Sequence, residues 1–537
     1  MAKPRLVAAK RRYYTFGMRR FAPYLLLCGL AFGQSNAGLE QLVSATVERA
    51  RKEFNVPGIS VAVVKDGKVA LAKGYGVRSL TTKEPMTERT LVAIASNTKA
   101  FTSAALAMLV DEGKLSWDDR VIDRLPEFAM SDAYVTREMR IRDLPCHRSG
   151  LPLGAGDLLW WPASDLTSAE VLYRLRFVPL KHGFRERYDY DNILYNVMGA
   201  VVERVSGQPW DEFIRERFFK PLGMTTSLTS VRQLARSMDA AMPHAPSDGV
   251  LKELPHSPLD SVAPAGSLVS SAFDMAKWVA TLLNKGVTPD GKRLLSETQV
   301  KTLWTPLIFV PQSPPPPELQ ELKANFAAYA MGEGISEYRG HLTVSHSGGL
   351  LGMVTFVTMI PDRNLGVIVL TNQQENGAFL AVKNTILDHY LNAPGKDWVS
   401  AFGAVRKKAL AEAAKTMGET SGKRNADSKP SLPLASYAGR YRDAWYGDVQ
   451  VTGGDRLQMR FSHTPALTGT LEHFHYNTFI VRWNDRSLDA DAYVTFSLDE
   501  SGSIADVRMK AVSPLTDFSF NFHDLHLKPV APNAPAY

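Results

Sequence analysis

Cysteine is nearly absent: Cys28 and Cys146 are the only two among 537 residues. Cys28 lies in a segment expected to be removed, so the mature chain keeps one thiol. That excludes an intramolecular disulfide and any zinc site built on two or four cysteines. Stability must come from core packing. Basic charge is missing where a nucleic-acid binder would need it. The formal net charge is +7, but Lys3, Arg5, Lys10, Arg11, Arg12, Arg19 and Arg20 supply seven positive charges, with no acid in residues 1–38. The rest of the chain is near neutral, which leaves no footprint for nucleic acid. No apolar run is long enough to span a bilayer comfortably. No G-x-S-x-G nucleophile elbow occurs. The stretch "GVTPDGKR" imitates a phosphate-binding loop, but Arg293 stands where Ser or Thr is needed and no strand precedes it. His473, His475, His523 and His526 come without a cluster of acids or cysteines, so no metal or other cofactor is expected.

What is present begins with a signal. A basic region, the apolar run "FAPYLLLCGLAFG" and small or polar residues ending "SNAG" have the order of a secretory signal peptide cleaved after Ala37. Met18 opens a second complete signal of the same kind, and its paired arginines leave a twin-arginine route open. The expected location is secreted or periplasmic, without a stable membrane span.

The length predicts two or three domains. Residues 38 to about 54 read as an amphipathic helix, followed by the hairpin "GISVAVVKDG"/"KVALAKGYGV" turning at "KDGK". From about 96 to 300 the pattern is mainly helical. Strand character returns in "HLTVSHSG", "MVTFVTMI" and "NLGVIVLTN", and a helix over 377–391 closes the unit. Strands at both ends with helices between predict an α/β (α+β) domain: one antiparallel sheet assembled from both chain ends, flanked by helices, with an inserted helical subdomain. Residues 396–432 begin helical and become a polar linker. After it, alternation in "LQMRFS", "TFIVRW", "AYVTFSL" and "IADVRMKAV" predicts a small antiparallel β domain, closed like a barrel. The expected division is 1–37 signal peptide, 38–395 main domain, 396–432 linker and 433–537 β domain.

Three stretches could carry chemistry. In "ASNTKAFTSAALAMLVDEGKL" a helix starts near Ser96, and the residue three on is Lys99, a cation at the positive end of the helix dipole. Roughly one S-x-x-K is expected by chance in such a chain, so the placement matters more than the pattern. Residues three apart at a helix start share a face, so Ser96 Oγ and Lys99 Nζ can meet. A desolvated lysine there has a lowered pKa and can act as base. In "RERYDYDNILYN", Tyr190 and Asn192 precede an apolar helix; a tyrosine deprotonated by neighbouring cations can relay protons, and an amide can hold a carbonyl or a lysine. In "HLTVSHSGGLLGM" a strand ends in His346-Ser347-Gly348-Gly349, where glycines permit close backbone approach and N–H groups can bind an oxyanion. The bland readings are a capping serine with a surface lysine, a packed aromatic with a helix cap, and an ordinary bulge.

Together with "VPGISVAVVKDGK", "HRSGLP", "PLGMTTS" and "PAGSLVSSAFDMAKW", these motifs resemble the serine β-lactamase and penicillin-binding protein superfamily. The likeness is to its class C-like members, including D,D-peptidases, D-aminopeptidases and related esterases, over about residues 40–390. It implies Ser96 as acylated nucleophile, Lys99 as its base and Tyr190 as proton carrier. Asn192 and the His346–Gly349 motif would bind substrate, with the N–H groups of Ser96 and Gly349 as oxyanion hole. Class C β-lactamases carry Lys-Thr-Gly as the third motif; His346-Ser347-Gly348 looks like the D,D-peptidase and D-aminopeptidase form. Histidine titrates near neutral pH, so activity is expected to fall as pH passes through the titration of His346. The implied activity is hydrolysis of amide bonds in β-lactams or D-amino-acid peptides, cell-wall fragments included. A carboxylesterase using the same serine, or a sensor that acylates without turnover, are the alternatives. The C-terminal β domain resembles lipocalin-like domains appended to such hydrolases, which could cover the active site, mediate homo-oligomerisation or hold cell-wall material.

Overall fold

A computed structural model describes residues 29–531 and residue 535, with side chains from residue 37 onward. Most of the expected signal peptide therefore lies outside the described residues.

The first sheet has eight strands: β1 (Gly58–Lys65), β2 (Lys68–Gly76), β3 (Ile308–Phe309), β4 (Ala327–Tyr329), β5 (Gly334–Tyr338), β6 (His341–Leu350), β7 (Met353–Ile360) and β8 (Leu365–Thr371). Their order is β2-β1-β8-β7-β6-β5-β4-β3 and every pairing is antiparallel. The two chain ends meet as expected, with Val61 opposite Val369 where β1 pairs β8. The β1–β2 turn has Asp66 at φ 52° and Gly67 at φ 75°, the double left-handed geometry that suits a tight hairpin.

Both β1 and β8 are apolar and buried on both faces, as interior strands must be. The two-residue period of a strand deals their side chains to two cores. Ile59, Val61, Val63, Val367 and Val369 join one cluster; Ala62, Val64, Ile368 and Leu370 join the other. Helices α1 (Gly29–Glu53), α5 (Asn376–Tyr390) and α6 (Trp398–Gly422) cover the first face through Val43, Val47, Phe54, Phe379, Val382 and Trp398. The other face carries α2 (Thr98–Asp111), α3 (Ile193–Ser206) and α4 (Ala272–Leu283) with their connecting turns. Helix α6 occupies most of the stretch read as linker. It docks through Trp398, whose indole N–H donates to Asp388 Oδ2 at 2.8 Å, and through buried Val399 and Phe402.

The C-terminal domain has eight strands in sequence order: β9 (Gly439–Asp443), β10 (Gly447–Thr452), β11 (Leu457–Phe461), β12 (Thr468–His475), β13 (Thr478–Trp483), β14 (Ala492–Leu498), β15 (Ile504–Ala511) and β16 (Lys528–Pro529). Segment 527–529 nearly closes the barrel: Pro529 pairs with Tyr441 on β9, and Leu527 exchanges backbone hydrogen bonds with Val507 on β15. Along β11, Leu457, Met459 and Phe461 point inward and Gln458 and Arg460 outward, the alternation a half-solvated sheet requires. The barrel interior and the helical side of the first sheet form one continuous apolar cluster. Among the described residues no helix is long and apolar enough to cross a membrane.

Candidate active site

Residues Val92–Ala93 pair with Val269–Ser270, and the chain then turns through Ala95, whose φ of 49° is left-handed without being glycine. Such backbone costs free energy and persists where surrounding structure imposes it. A 3₁₀ turn, Ala95–Asn97, carries Ser96 and runs straight into α2. All residues of α2 from Thr98 to Leu109 are buried. This is why Lys99, one position into the helix, has 0 % of its surface exposed.

Lys99 Nζ donates to Ser96 Oγ at 3.0 Å, to Asn192 Oδ1 at 2.7 Å and to the Ala265 carbonyl at 3.0 Å. The Tyr190 hydroxyl donates to Ser96 Oγ at 3.0 Å. Burial lowers the Lys99 pKa to about 7, against the opposing pull of Asp157 and Asp191. Burial acts the other way on the acids around it, raising Tyr190 well above its ordinary value and Asp191 to about 7. Tyr190 is therefore a neutral hydroxyl here, not the anion expected from neighbouring cations. The one amine beside it is itself half neutralised by desolvation.

Strand β6 supplies the opposite wall. Its pairing with β5 ends at Ser345 opposite Gly334, so residues 346–350 continue with that edge unpaired toward the cleft. Gly348 passes against the turn that carries Ser96; a Cβ there would lie 2.2 Å from the Ile94 carbonyl and 2.4 Å from Thr355 Oγ1. Gly349 faces open space. His346 is buried, with Nδ1 donating to the Ser347 carbonyl at 2.5 Å and Nε2 accepting from the Tyr329 hydroxyl at 2.8 Å. Burial and nearby Lys99 push its pKa down to about 3. The expected titration near neutral pH is thus overturned: the imidazole is held neutral with both nitrogens occupied.

Ser96, Tyr190, Asn192 and His346–Gly349 line one cleft of about 730 Å³; Lys99 lies beneath it. Several other groups at the site escaped the sequence reading. Asp157 is fully buried and accepts from Asn192 Nδ2 at 3.0 Å, the Trp160 indole at 3.1 Å and the Ser519 hydroxyl at 2.8 Å. Its only sequence signal is a lone acid in the apolar run "GAGDLLWW". Ser149, in the stretch "HRSGLP", donates to Asp191 at 3.2 Å, and His147 packs its ring with its centroid 4.3 Å from that of Tyr190. The C-terminal domain also reaches the cleft, through Leu488, Asp489 and the segment 515–520.

Known proteins place this architecture. The octameric penicillin-binding protein homologue from Pyrococcus abyssi has a similar fold, with a TM-score of 0.57, 23% identity, and coverage of 88% of this chain and 98% of that one. A class C β-lactamase from Rhodobacter sphaeroides aligns at a TM-score of 0.53 and 20% identity over 65% of this chain and 99% of its own. The unguisins hydrolase of Aspergillus campestris is 28% identical over 444 residues, 79% of this chain and 80% of that protein. Residues 423–529 match a domain of unknown function. Residues 43–391, about two thirds of the chain, match the Beta-lactamase family. This chain, a serine-hydrolase-like sheet and helical subdomain followed by a barrel, belongs to the beta-lactamase family.

Proposed function

We propose that the protein is an exported serine hydrolase that cleaves amide bonds, in β-lactams or D-amino-acid peptides, through a Ser96 acyl-enzyme. One observation carries this reading: Ser96 Oγ lies 3.0 Å from both a fully buried lysine and a tyrosine hydroxyl. With its pKa lowered to about 7, Lys99 is partly neutral at physiological pH and takes the Ser96 proton as Oγ attacks the carbonyl carbon. Tyr190 passes a proton to the departing nitrogen. The N–H groups of Ser96 and Gly349 hold the oxyanion, and Asn192, beside Lys99, meets the substrate amide. Water then attacks the ester, with the same groups returning the proton. The hydrolase activity in the name of the Aspergillus relative supports turnover over a sensor that only acylates. Export would proceed through residues 1–37.

The test is incubation of the full chain with a chromogenic cephalosporin, a D-alanyl anilide and a short-chain nitrophenyl ester, with Ser96→Ala as control. Amide turnover that Ser96→Ala abolishes is expected. Turnover of the ester alone would make the protein a carboxylesterase, and a stable cephalosporoyl adduct by mass, without turnover, would make it a sensor. Equal rates from Ser96→Ala would refute the site. For export, the secreted protein is expected to begin at Gly38.

A further inference from the structure

The barrel domain does more than neighbour the cleft. Segment 517–521, between β15 and β16, lies on the loop that carries Asp157. Phe518 sets its ring edge-on to Tyr190 with centroids 5.9 Å apart. Gly154, at φ 69°, sits so close beneath Phe518 that a Cβ there would come within 2.9 Å of its ring and its carbonyl. Asn521 Oδ1 accepts the Leu158 N–H at 3.3 Å. Ser519 is buried, and its hydroxyl donates to Asp157 Oδ2 at 2.8 Å across 362 residues of sequence. The same carboxylate oxygen takes Asn192 Nδ2 at 3.0 Å, and Asn192 Oδ1 takes Lys99 Nζ at 2.7 Å. An unbroken chain of hydrogen bonds thus runs from the second domain to the nucleophile: Ser519, Asp157, Asn192, Lys99, Ser96.

We infer that Ser519 is a positioning residue for the Ser96–Lys99 pair, acting through Asp157 and Asn192, so that the second domain completes the active site. The inference rests on Ser96 and Lys99 being nucleophile and base. Its physical content is a charge and an orientation. Asp157 is withdrawn from water, and burial pushes its carboxyl well above the ordinary range; the Ser519 and Asn192 donors pull it part of the way back toward the ionised form. To the extent that these donors keep it ionised, it is a counter-charge for the Lys99 ammonium, and its hydrogen bond fixes which way the Asn192 amide faces. Other groups bear on the pair from every side. Asp191 and Tyr190 face Lys99 from the turn before α3, Tyr195 from α3 itself, His147 from the turn after residues 141–146, and His346 from β6. Asp517, two residues before Ser519, acts on Asp157 by like-charge repulsion. Among the described residues, only Ser519 adds a donor from the barrel to this carboxylate.

The sign follows. Without the Ser519 hydroxyl the Asp157 anion loses one of its donors and takes up a proton more readily. Lys99 then loses counter-charge, and its own titration moves to lower pH. The experiment follows the Lys99 side chain by NMR in full-length protein carrying ¹⁵N,¹³C-lysine, with its signal identified by its loss in Lys99→Arg. Relative to wild type, Ser519→Ala is expected to lower the midpoint by about half a pH unit or more, and Asp157→Asn by more still. Ser519→Thr, which keeps the hydroxyl, is expected to hold the wild-type midpoint. The acid limb of Ser96 labelling by a fluorophosphonate probe should move the same way. If Ser519→Ala does not fold, Ser519→Cys gives the same comparison, since a thiol fills the site but donates weakly. A midpoint in Ser519→Ala equal to wild type would overturn the inference. So would a Ser519→Thr midpoint displaced as far as that of Ser519→Ala, because packing rather than the donor would then be responsible. Failure of the probe to label Ser96 would refute the acylation reading instead, while the lysine titration would still decide this one.

Discussion

The turn that carries Ser96 and the strand that carries His346 face each other across one cleft, and each buries a base. Burial brings Lys99 from 10.5 to about 7 and takes His346 from 6.5 to about 3. The same physical cost places the lysine at working pH and removes the histidine from it. In the proposed reaction the turn that carries Ser96 therefore contributes side-chain chemistry. The strand contributes shape: an unpaired backbone edge, two glycines and a neutral imidazole locked against Tyr329. A cation suited to a substrate carboxylate is absent from His346, although Lys-Thr-Gly enzymes have one at the matching position.

The comparison breaks most severely if Lys99 is dispensable. Lys99→Met preserves much of the volume and removes the base, so acylation should fall about 10²–10⁴-fold, or roughly 3–5 kcal/mol of barrier. Acylation kinetics measured directly, as labelling or burst rates, decide this; a loss under tenfold would mean another group takes the serine proton. In the wild type, kcat/KM should rise with pH through about 7, because the base form of Lys99 is the one that dominates above that value. Asp191 falls in the same range, so the limb belongs to the pair. Asp191→Asn removes a negative charge near the ammonium and should move that limb to lower pH.

Adjacent glycines sharpen the claim that the strand acts through its backbone. Gly348→Ala forces a methyl to 2.2 Å from the Ile94 carbonyl, two residues before Ser96. Relief requires moving the strand or the turn that carries Ser96, at a cost of about 1–3 kcal/mol in stability together with a loss of kcat. Gly349→Ala meets nothing within 4 Å, so its fold should be undisturbed and any effect should appear in KM. Thermal denaturation and steady-state kinetics on the two variants separate them. Equal destabilisation by both would mean the close approach at Gly348 does not constrain the turn.

How much of this was legible from sequence follows from the range of each interaction. Ser96 and Lys99 are three residues apart on one helical turn, and local spacing announced that they could meet. The strands of β1, β2 and β6–β8 are long enough for their patterns to register. Strands β3 and β4, of two and three residues, are not. In the barrel, four of the eight strands stood out by alternation. The polar end of α6 read as linker because that helix is held at its apolar start, by Trp398, Val399 and Phe402. Asp157 and Ser519 were missed for a different reason. A lone acid in an apolar run hints at Asp157 but nothing marks Ser519, and the link between them is one contact across 362 residues. Tyr190 and His346 show the complementary limit. Residue type suggested a tyrosinate and a neutral-pH switch, but burial, which no local pattern reports, decides the protonation of both.

The smallest expected effect tests that last point. If His346 acts as a neutral spacer, His346→Asn should leave the pH midpoint of kcat/KM where it is. The group has no proton to lose near neutrality: its pKa is pushed to about 3, so it is deprotonated at every pH where Lys99 changes state. The variant should still lower the rate modestly, because Asn is shorter than the imidazole and a partner of the Tyr329 hydroxyl, 2.8 Å away, is lost or displaced. The decisive quantity is the midpoint of the pH–rate curve, not its height. A midpoint that moved by a full pH unit would mean that His346 exchanges a proton in the working range. Burial would then not act on it as it acts on Lys99, and the strand would contribute chemistry as well as shape.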